Sequence, residues 1–250
     1  ILELRGADGG EQANLYARDL YETDLAFAAR HGWKTTTLSS SPSEMGGVND
    51  VTFEVRGATA CRNHKYEGGP HRVQRVPATE SQGRIHTSSA TVTVLPEADE
   101  VDVRIDDRDL DIDVYRASGP GGQSVNTTDS AVRITHRPSG VVVAMQDERS
   151  QLQNKARAMQ VLRARLAERA EQERHDEQSA ERRSQVGGGG RSEKIRTYNF
   201  KENRVTDHRI GFTVYRLAAI LAGDLQAVVD ALAADERAGL LAEGDGDPAT

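Results

Sequence analysis

The chain has 250 residues, a net charge of −7 and one cysteine, Cys61. That length suits one large or two ordinary domains, and a single cysteine excludes an internal disulfide and favours a reducing compartment. No apolar run reaches membrane-spanning length and no signal peptide is recognisable, so we expect no membrane association. Aromatic residues make up only 4% of the chain, which indicates several small cores.

Basic residues are unevenly distributed despite the acidic total. They concentrate in three segments, at residues 56–86, 116–165 and 187–209, whereas acidic residues concentrate at 1–54, 97–113 and 224–250. Basic segments separated by acidic ones suit a protein that contacts RNA on selected faces. Ordinary solvated surface is an alternative that charge alone leaves open.

Residues 1–96 predict short strands around one helix. The helix covers 11–31, with Asp8 as its N-cap and Gly32 as its stop. The predicted strands are 1–6, 33–38, 51–56 and 90–95. We expect loops at 39–49 and at 66–88. The second is rich in groups that bind phosphates and base edges, and it holds an imidazole that can stack on a base.

The middle of the chain predicts two acidic strand-like segments, a hairpin and a long helix. The acidic segments are 101–105 and 111–115, the hairpin pairs 131–136 with 140–146, and the helix covers 150–185. Its apolar residues predict a buried stripe of Leu152, Ala156, Met159, Leu162 and Leu166.

The last third begins with four glycines at 187–190, which predict a flexible joint. Basic and aromatic residues then alternate over 191–200, a pattern that suits RNA contact as well as a surface linker. A terminal amphipathic helix is expected at 224–241, with Leu225, Val228, Val229 and Leu232 facing inward, and a disordered acidic tail at 244–250. No His/Cys cluster has metal-ligand spacing, and no P-loop is present.

The segment 116–126 is the most distinctive in the chain, because three glycines and a proline surround a single glutamine. Such a segment predicts an exposed loop that presents Gln123 and bare backbone N–H groups. No catalytic side-chain base accompanies it, so a reactive loop of this kind would act by positioning and by N–H donation to an oxyanion. A plain glycine turn is the alternative for these residues alone.

Several segments together resemble one family. They are Gly119–Asn126, His71–Thr79, Gln82–Ser88, Arg191–Phe200 and Val205–Arg209, and they occur in family order. The chain is similar to bacterial-type class I peptide chain release factors, and within them to the branch that reads UAA and UAG. The resemblance covers essentially the whole chain. The family usually has Glu where Gln12 stands and often Pro where Lys201 stands.

The resemblance implies an α+β, multi-domain architecture: a mixed-sheet decoding superdomain and a smaller α+β catalytic domain with a hairpin and a long helix. Residues 1–96, completed by 190–250, would be the decoding domain, and 97–186 the catalytic domain that carries the glutamine loop. Residues 187–204 would be a hinge or switch segment, and 205–250 the C-terminal part of the decoding superdomain. The family's N-terminal helical domain would be absent.

The resemblance also implies site residues. Gly121, Gly122 and Gln123 would be catalytic, and Gln123 would carry an N5-methyl group added by a glutamine methyltransferase. Codon recognition would fall to Pro77, Ala78, Thr79, Gln74, His86, Thr87, Gly9 and Gln12. The switch segment would use Arg191, Lys194, Arg196, Tyr198, Phe200 and Arg204. No metal and no cofactor is implied.

The implied function is termination of translation in the bacterial cytoplasm. The protein would bind the ribosome at the decoding centre and the peptidyl transferase centre, read an mRNA stop codon, and trigger hydrolysis of the P-site peptidyl-tRNA ester. It would be a ribosome-dependent factor and not a stand-alone enzyme. Two alternatives remain: a codon-independent ribosome-rescue hydrolase with the same loop, and a non-catalytic RNA-binding paralogue.

Overall fold

The computed structural model describes residues 1–78, 80–97, 103–116, 129–187 and 192–244. The chain forms two compact units. The first comprises Ile1–Glu97 together with Ala180–Thr250, and the second comprises Ala98–Ser179. The α+β architecture expected from the sequence is confirmed, with a large mixed sheet, a small sheet and a long helix. No helix in the described part of the chain is long and apolar enough to cross a membrane.

The first unit is built on one mixed sheet. Eight of its described strands form that sheet in the order β11-β10-β9-β4-β5-β1-β3-β2. Their bounds are β1 Leu2–Gly6, β2 Lys34–Pro42, β3 Val48–Arg56, β4 Gly69–Arg75, β5 His86–Val94, β9 Arg196–Asn199, β10 Arg204–Asp207 and β11 Phe212–Val214. Neighbouring strands are antiparallel except β4 and β9, which run parallel. That parallel pair joins the C-terminal strands to the N-terminal ones.

Helices cover one face of this sheet. They are α1 Glu11–Arg30, the short α2 Ala60–His64, and near the C-terminus α4 Leu217–Leu221 and α5 Gln226–Gly244. Their buried side chains share one core with the sheet, and its largest members include Tyr16, Phe27, Phe53 and Tyr198. The predicted inward residues of the terminal helix, Leu225, Val228, Val229 and Leu232, are all buried. The helix α4 was not predicted, because a single turn gives little periodicity.

The second unit has its own small core. The antiparallel sheet β6-β7-β8 comprises Leu110–Tyr115, Ala131–His136 and Val141–Met145, so the predicted hairpin is confirmed. The long helix α3 spans Gln151–Val186 and packs Ala158, Leu162 and Leu166 against Val132, Ile134 and Val143.

The last turns of α3 belong to the first unit. Arg182 forms a two-pronged ion pair with Glu3, whose closest contact is 2.9 Å. The Gln185 amide accepts a hydrogen bond from the Val94 N–H at 2.7 Å and donates one to the Val94 carbonyl at 2.8 Å. These contacts fix the end of the helix on β1 and β5.

Three local expectations are wrong. The N-cap of α1 is Gly10 and not Asp8, because the helix begins only at Glu11; the Asp8 N–H donates to Ser89 Oγ on β5. The expected loop at 39–49 is shorter, because β2 extends to Pro42 and β3 begins at Val48. The expected loop at 66–88 contains β4 and the start of β5, and only 76–85 separate those two strands.

The predicted stripe of α3 is also shifted. Leu152 and Ala156 are exposed and Met159 is only partly buried, whereas Asn154 is fully buried. Asn154 donates to the carbonyls of Ser130 and Glu148 and accepts from the Glu148 N–H. The buried face of α3 therefore begins with a polar residue, which a search for apolar periodicity cannot identify.

Candidate functional site

The site forms where α1 begins against the start of β5. The chain just before the helix is held on that strand: the Ala7 N–H donates to the Ser89 carbonyl at 2.9 Å, and the Ser89 N–H donates to the Asp8 carbonyl at 2.8 Å. Gly9 follows with a φ of +132°, a conformation that side chains with a Cβ rarely adopt. A Cβ there would also lie 2.6 Å from Ser88 Oγ. Close approach of the two segments therefore requires glycine at position 9.

A small cleft of about 310 Å³ opens at this junction. It is lined by Gly9, Gln12, Ile85, His86, Thr87 and Ser88. Four predicted codon-reading residues, Gly9, Gln12, His86 and Thr87, thus meet in one place although about seventy positions of sequence separate the two pairs. The fold brings them together because β5 lies beside the entry to α1.

Gln74 belongs to the same neighbourhood. It lies directly opposite Thr87 in the β4–β5 register, so the two side chains share a face of the sheet. Its Oε1 accepts a hydrogen bond from Asn199 Nδ2 at 3.3 Å, and its carbonyl accepts from the Phe200 N–H at 3.0 Å. The end of β9 therefore orients the Gln74 side chain.

A larger cleft of about 860 Å³ adjoins the first and shares Gln12 and Ile85 with it. Its other walls are Leu15, Asp19, Arg75, Val76, Ala78, Gly83, Phe200 and Lys201. Arg75 forms an ion pair with Asp19, and its guanidinium lies 5.5 Å from the centre of the Phe200 ring. Apolar walls with a few fixed polar groups suit the binding of a planar base.

The tip between β4 and β5 is a tight turn. Pro77 is buried at its start and Ala78 is exposed, and the Glu80 N–H donates to the Pro77 carbonyl at 3.1 Å. Thr79 lies outside the described residues, as do Gly121, Gly122, Gln123 and Arg191. The roles given to these residues stay predictions.

Glu80 is a site residue that sequence reasoning missed. Its Oε2 lies 2.8 Å from His86 Nε2, and its Oε1 accepts a hydrogen bond from the Gln82 N–H at 2.8 Å. The Gln82 N–H is the main cause that holds the pKa of the Glu80 carboxyl below its ordinary value, with the His86 contact adding to it. The ionised carboxylate therefore bridges the turn and fixes one edge of the His86 ring. The only signal in the sequence was an acid and a histidine on opposite sides of a tight turn.

The predicted switch residues divide into two groups. Lys194, Phe200 and Arg204 are partly exposed, and Arg204 pairs with Glu202 at 2.7 Å. Arg196 and Tyr198 are fully buried, so the expectation that the whole 191–200 segment contacts RNA through its basic and aromatic residues is wrong for these two.

Arg196 is the centre of a buried charge network. Its Nη1 donates to both carboxylate oxygens of Glu67 at 2.9 and 2.8 Å, and its Nε lies 3.3 Å from Asp207 Oδ2. Asp207 also accepts from Arg209 Nη2 at 2.7 Å. Burial opposes ionisation of Glu67, but the charge of Arg196 outweighs it and lowers the pKa of that carboxyl. This network anchors β9 and β10 to the N-terminal part of the sheet.

No group of three or more His, Cys, Asp or Glu in the described ranges is arranged to hold a metal ion. The chemistry of the clefts is instead that of hydrogen-bonding and stacking groups, which recognise nucleobases.

Family models match two parts of the chain: the PCRF domain covers residues 1–92 and the RF-1 domain covers residues 99–209. The peptide chain release factor 1 of Clostridium novyi is 57% identical over 95% of this chain and 67% of its own length. That of Zymomonas mobilis is 58% identical over 98% of this chain and 69% of its own length.

A solved structure, RF2 of Thermus thermophilus, aligns with a TM-score of 0.56 and 38% identity, covering 92% of this chain and 66% of that one. The chain thus spans about two thirds of the length of the relatives that it matches. The identity and coverage shared with both curated relatives show that this chain belongs to the peptide chain release factor 1 family.

Proposed function

We propose that this chain recognises UAA and UAG stop codons in the ribosomal A site and triggers hydrolysis of the peptidyl-tRNA ester. The observation that carries the proposal is the cleft that gathers Gly9, Gln12, His86 and Thr87 beside Gln74. A ring held at one edge by Glu80 offers a stacking surface, and neighbouring amide and hydroxyl groups offer hydrogen bonds to base edges.

Codon choice would depend on Thr79, at the turn that Pro77 and Ala78 begin. A hydroxyl held in one orientation accepts a hydrogen bond from the amino group of adenine at the second codon position. Guanine presents a carbonyl acceptor at that point, so the hydroxyl would have to reorient or stay unpaired at a cost of about 1–3 kcal/mol. Gln74 and Thr87 can each donate and accept, which suits either purine at the third position.

Hydrolysis would depend on the 121–123 loop. Gly121 and Gly122 permit close approach to an RNA cavity, and the Gln123 backbone N–H would donate to the tetrahedral intermediate or to the departing ribose oxygen. The Gln123 side chain would confine a water molecule and exclude larger nucleophiles. It does not titrate, so the RNA site would supply any general base. We include methylation of Gln123 by a glutamine methyltransferase in the proposal.

The test is single-turnover peptide release from ribosomes programmed with UAA, UAG, UGA or a sense codon, at matched ribosome concentrations. We expect rapid release on UAA and UAG and little on the other two. The matched control is Gly122→Ala, which should bind UAA ribosomes normally and release almost nothing. Efficient release on UGA or on the sense codon would contradict the proposal and favour a codon-independent rescue hydrolase.

A further inference from the structure

A second polar region lies on the sheet next to the proposed codon site. Arg72 precedes Gln74 by two residues on β4, so both side chains share one face, about 7 Å apart along the strand. In the strand registers, Arg72 lies opposite Ser89 on β5 and, on its other side, opposite Thr197 on β9. Thr197 in turn lies opposite Thr206 on β10. One guanidinium therefore lies among a row of hydroxyl groups.

Two more basic side chains, Lys194 and His208, border this row. His208 Nε2 lies 2.6 Å from Thr197 Oγ1, and the His208 N–H donates to the Ile195 carbonyl at 2.8 Å, which holds the 194–195 backbone beside it. Burial lowers the pKa of His208, and the positive charges of Lys194 and Arg72 lower it further. Arg72 and Lys194 therefore lie close enough to His208 to disfavour its protonation.

Arg72 itself has no matching negative charge in the part of the chain that the structure describes. Among the described residues no carboxylate forms an ion pair with Arg72, whose Nε is buried without a hydrogen-bond partner, and burial alone lowers the pKa of its guanidinium.

The acids near this cluster are already engaged. Asp207 is bound by Arg196 and Arg209, and Glu202 by Arg204. Glu193 is directed towards Gly187, since its Oε2 lies 2.7 Å from the position that a Cβ on that glycine would take. A partly buried cation without a counter-ion costs free energy, and an anionic ligand would recover it.

We propose that Arg72, Lys194 and His208, with the Thr197 hydroxyl, bind one phosphodiester of an RNA strand adjacent to the codon. Arginine, lysine and hydroxyl side chains on one surface are the usual donors to nucleic-acid phosphates. The phosphate belongs either to mRNA beyond the stop codon or to ribosomal RNA. This inference rests on the proposed function, because it takes the ribosomal complex as the source of that strand.

The test compares Arg72→Gln with Arg62→Gln, a matched loss of charge at an exposed arginine on α2. Single-turnover release on UAA ribosomes is measured against factor concentration at several salt concentrations. For Arg72→Gln we expect the half-saturating concentration to rise several-fold, the rate at saturation to fall much less, and the slope of log affinity against log salt to drop by about one. Arg62→Gln should match the wild type.

Thermal unfolding shows whether Arg72 acts by binding RNA or by stabilising the fold. Because Arg72→Gln removes a partly buried cation and no ion pair, its Tm should equal or exceed that of the wild type. If Arg72→Gln does not fold, Lys194→Gln replaces it in the same measurements. An unchanged salt slope, or a lowered Tm with unchanged affinity, would overturn the inference. If the wild type itself releases no peptide, the proposed function has failed instead.

A second arm of the experiment uses an mRNA that ends at the stop codon, and it identifies the source of the phosphate. If the Arg72→Gln defect persists there, the site binds ribosomal RNA. If the wild type falls to the level of the variant on the truncated mRNA, the site binds the mRNA.

Discussion

Arg196 and Glu67 form a two-pronged ion pair inside the core of the first unit, across 129 positions of sequence, with both side chains almost fully removed from solvent. A buried pair of this kind does not by itself show a large gain in stability, since desolvation offsets much of the attraction. Removal of one partner is different, because the other charge stays buried after losing its closest counter-charge. Without Glu67, Arg196 keeps only Asp207, 3.3 Å from its Nε.

We therefore expect Glu67→Ala to lower the free energy of unfolding by about 3–5 kcal/mol, measured by urea denaturation. The matched control is Glu202→Ala, which removes the exposed partner of Arg204 and should cost less than about 1 kcal/mol. Equal losses in the two variants would contradict a special role for the buried pair.

His71 should make stability depend on pH. Burial, followed by the charge of Arg196, lowers its pKa from 6.5 to about 4 in the folded state, while its Nε2 bonds the Glu67 carbonyl at 2.8 Å. A lowered pKa means that the unfolded chain binds the proton first, so the contribution is present above about pH 6.5 and is lost as pH falls towards 4. The shift corresponds to roughly 3 kcal/mol.

The measurement is urea unfolding of the wild type and His71→Gln between pH 7.5 and 4. Both proteins carry the same carboxylates, so the pH dependence of these groups cancels when one free energy of unfolding is subtracted from the other. The remaining difference should shrink steadily below pH 6.5. His64, whose pKa is also lowered by burial, stays in both proteins. A difference that is constant with pH would show that His71 does not titrate at its folded-state value.

The sequence predicts the regular parts of this fold well, because α1, α3 and the hairpin β7–β8 have strong local periodicity or clear turn residues. It finds only the first half of β2, predicted at 33–38, because the second half of this edge strand consists of largely exposed Ser and Pro residues that show no apolar alternation. Arg196 was also misjudged, because its partner Glu67, 129 positions away, comes beside it only through the parallel pairing of β4 with β9, whereas Asp207 lies opposite it in the β9–β10 pair. Local pattern cannot reveal such a long-range neighbour.

In the candidate site too, some residues could be identified from the sequence and others only from the structure. Gln74, His86 and Thr87 were found through family resemblance, whereas composition alone indicated only a polar loop. Glu80 was missed because its role depends on the turn that places its carboxylate against His86. The side chain that orients a recognition residue is often identified only by geometry.

Gly9 should tolerate no side chain. Gly9→Ala would place a Cβ 2.6 Å from Ser88 Oγ at a φ of +132°, so α1 and β5 would have to separate. We expect at least a tenfold loss of affinity for UAA ribosomes. The control is Gly10→Ala, which has a φ of +61° but open space around its Cβ and should be the milder change. Partial rescue by Ser88→Gly in the Gly9→Ala background would confirm the steric cause, and equal effects of both alanines would refute it.

Glu80 should act through His86. Glu80→Ala removes the carboxylate that holds the His86 ring, so we expect weaker binding to stop-codon ribosomes by several-fold. Tm is measured alongside, because the Glu80 side chain is only 7% exposed and also accepts from the Gln82 N–H. The measurement is a double-mutant cycle with His86→Ala. If Glu80 only positions the ring, the double variant should be no worse than His86→Ala alone. Additive losses would mean that Glu80 contacts RNA independently.

The last prediction concerns the nucleophile. Gln123→Ala keeps the backbone N–H that would donate to the oxyanion but removes the side chain that would exclude larger groups. We therefore expect peptide release by water to slow while attack by hydroxylamine is slowed less, so that the ratio of aminolysis to hydrolysis rises. Both rates should be measured on the same UAA complexes at saturating protein. Gly122→Ala is the control that impairs close approach of the backbone and should depress both rates together. If Gln123→Ala leaves the ratio unchanged, the side chain does not select water, and the loop acts through its backbone alone.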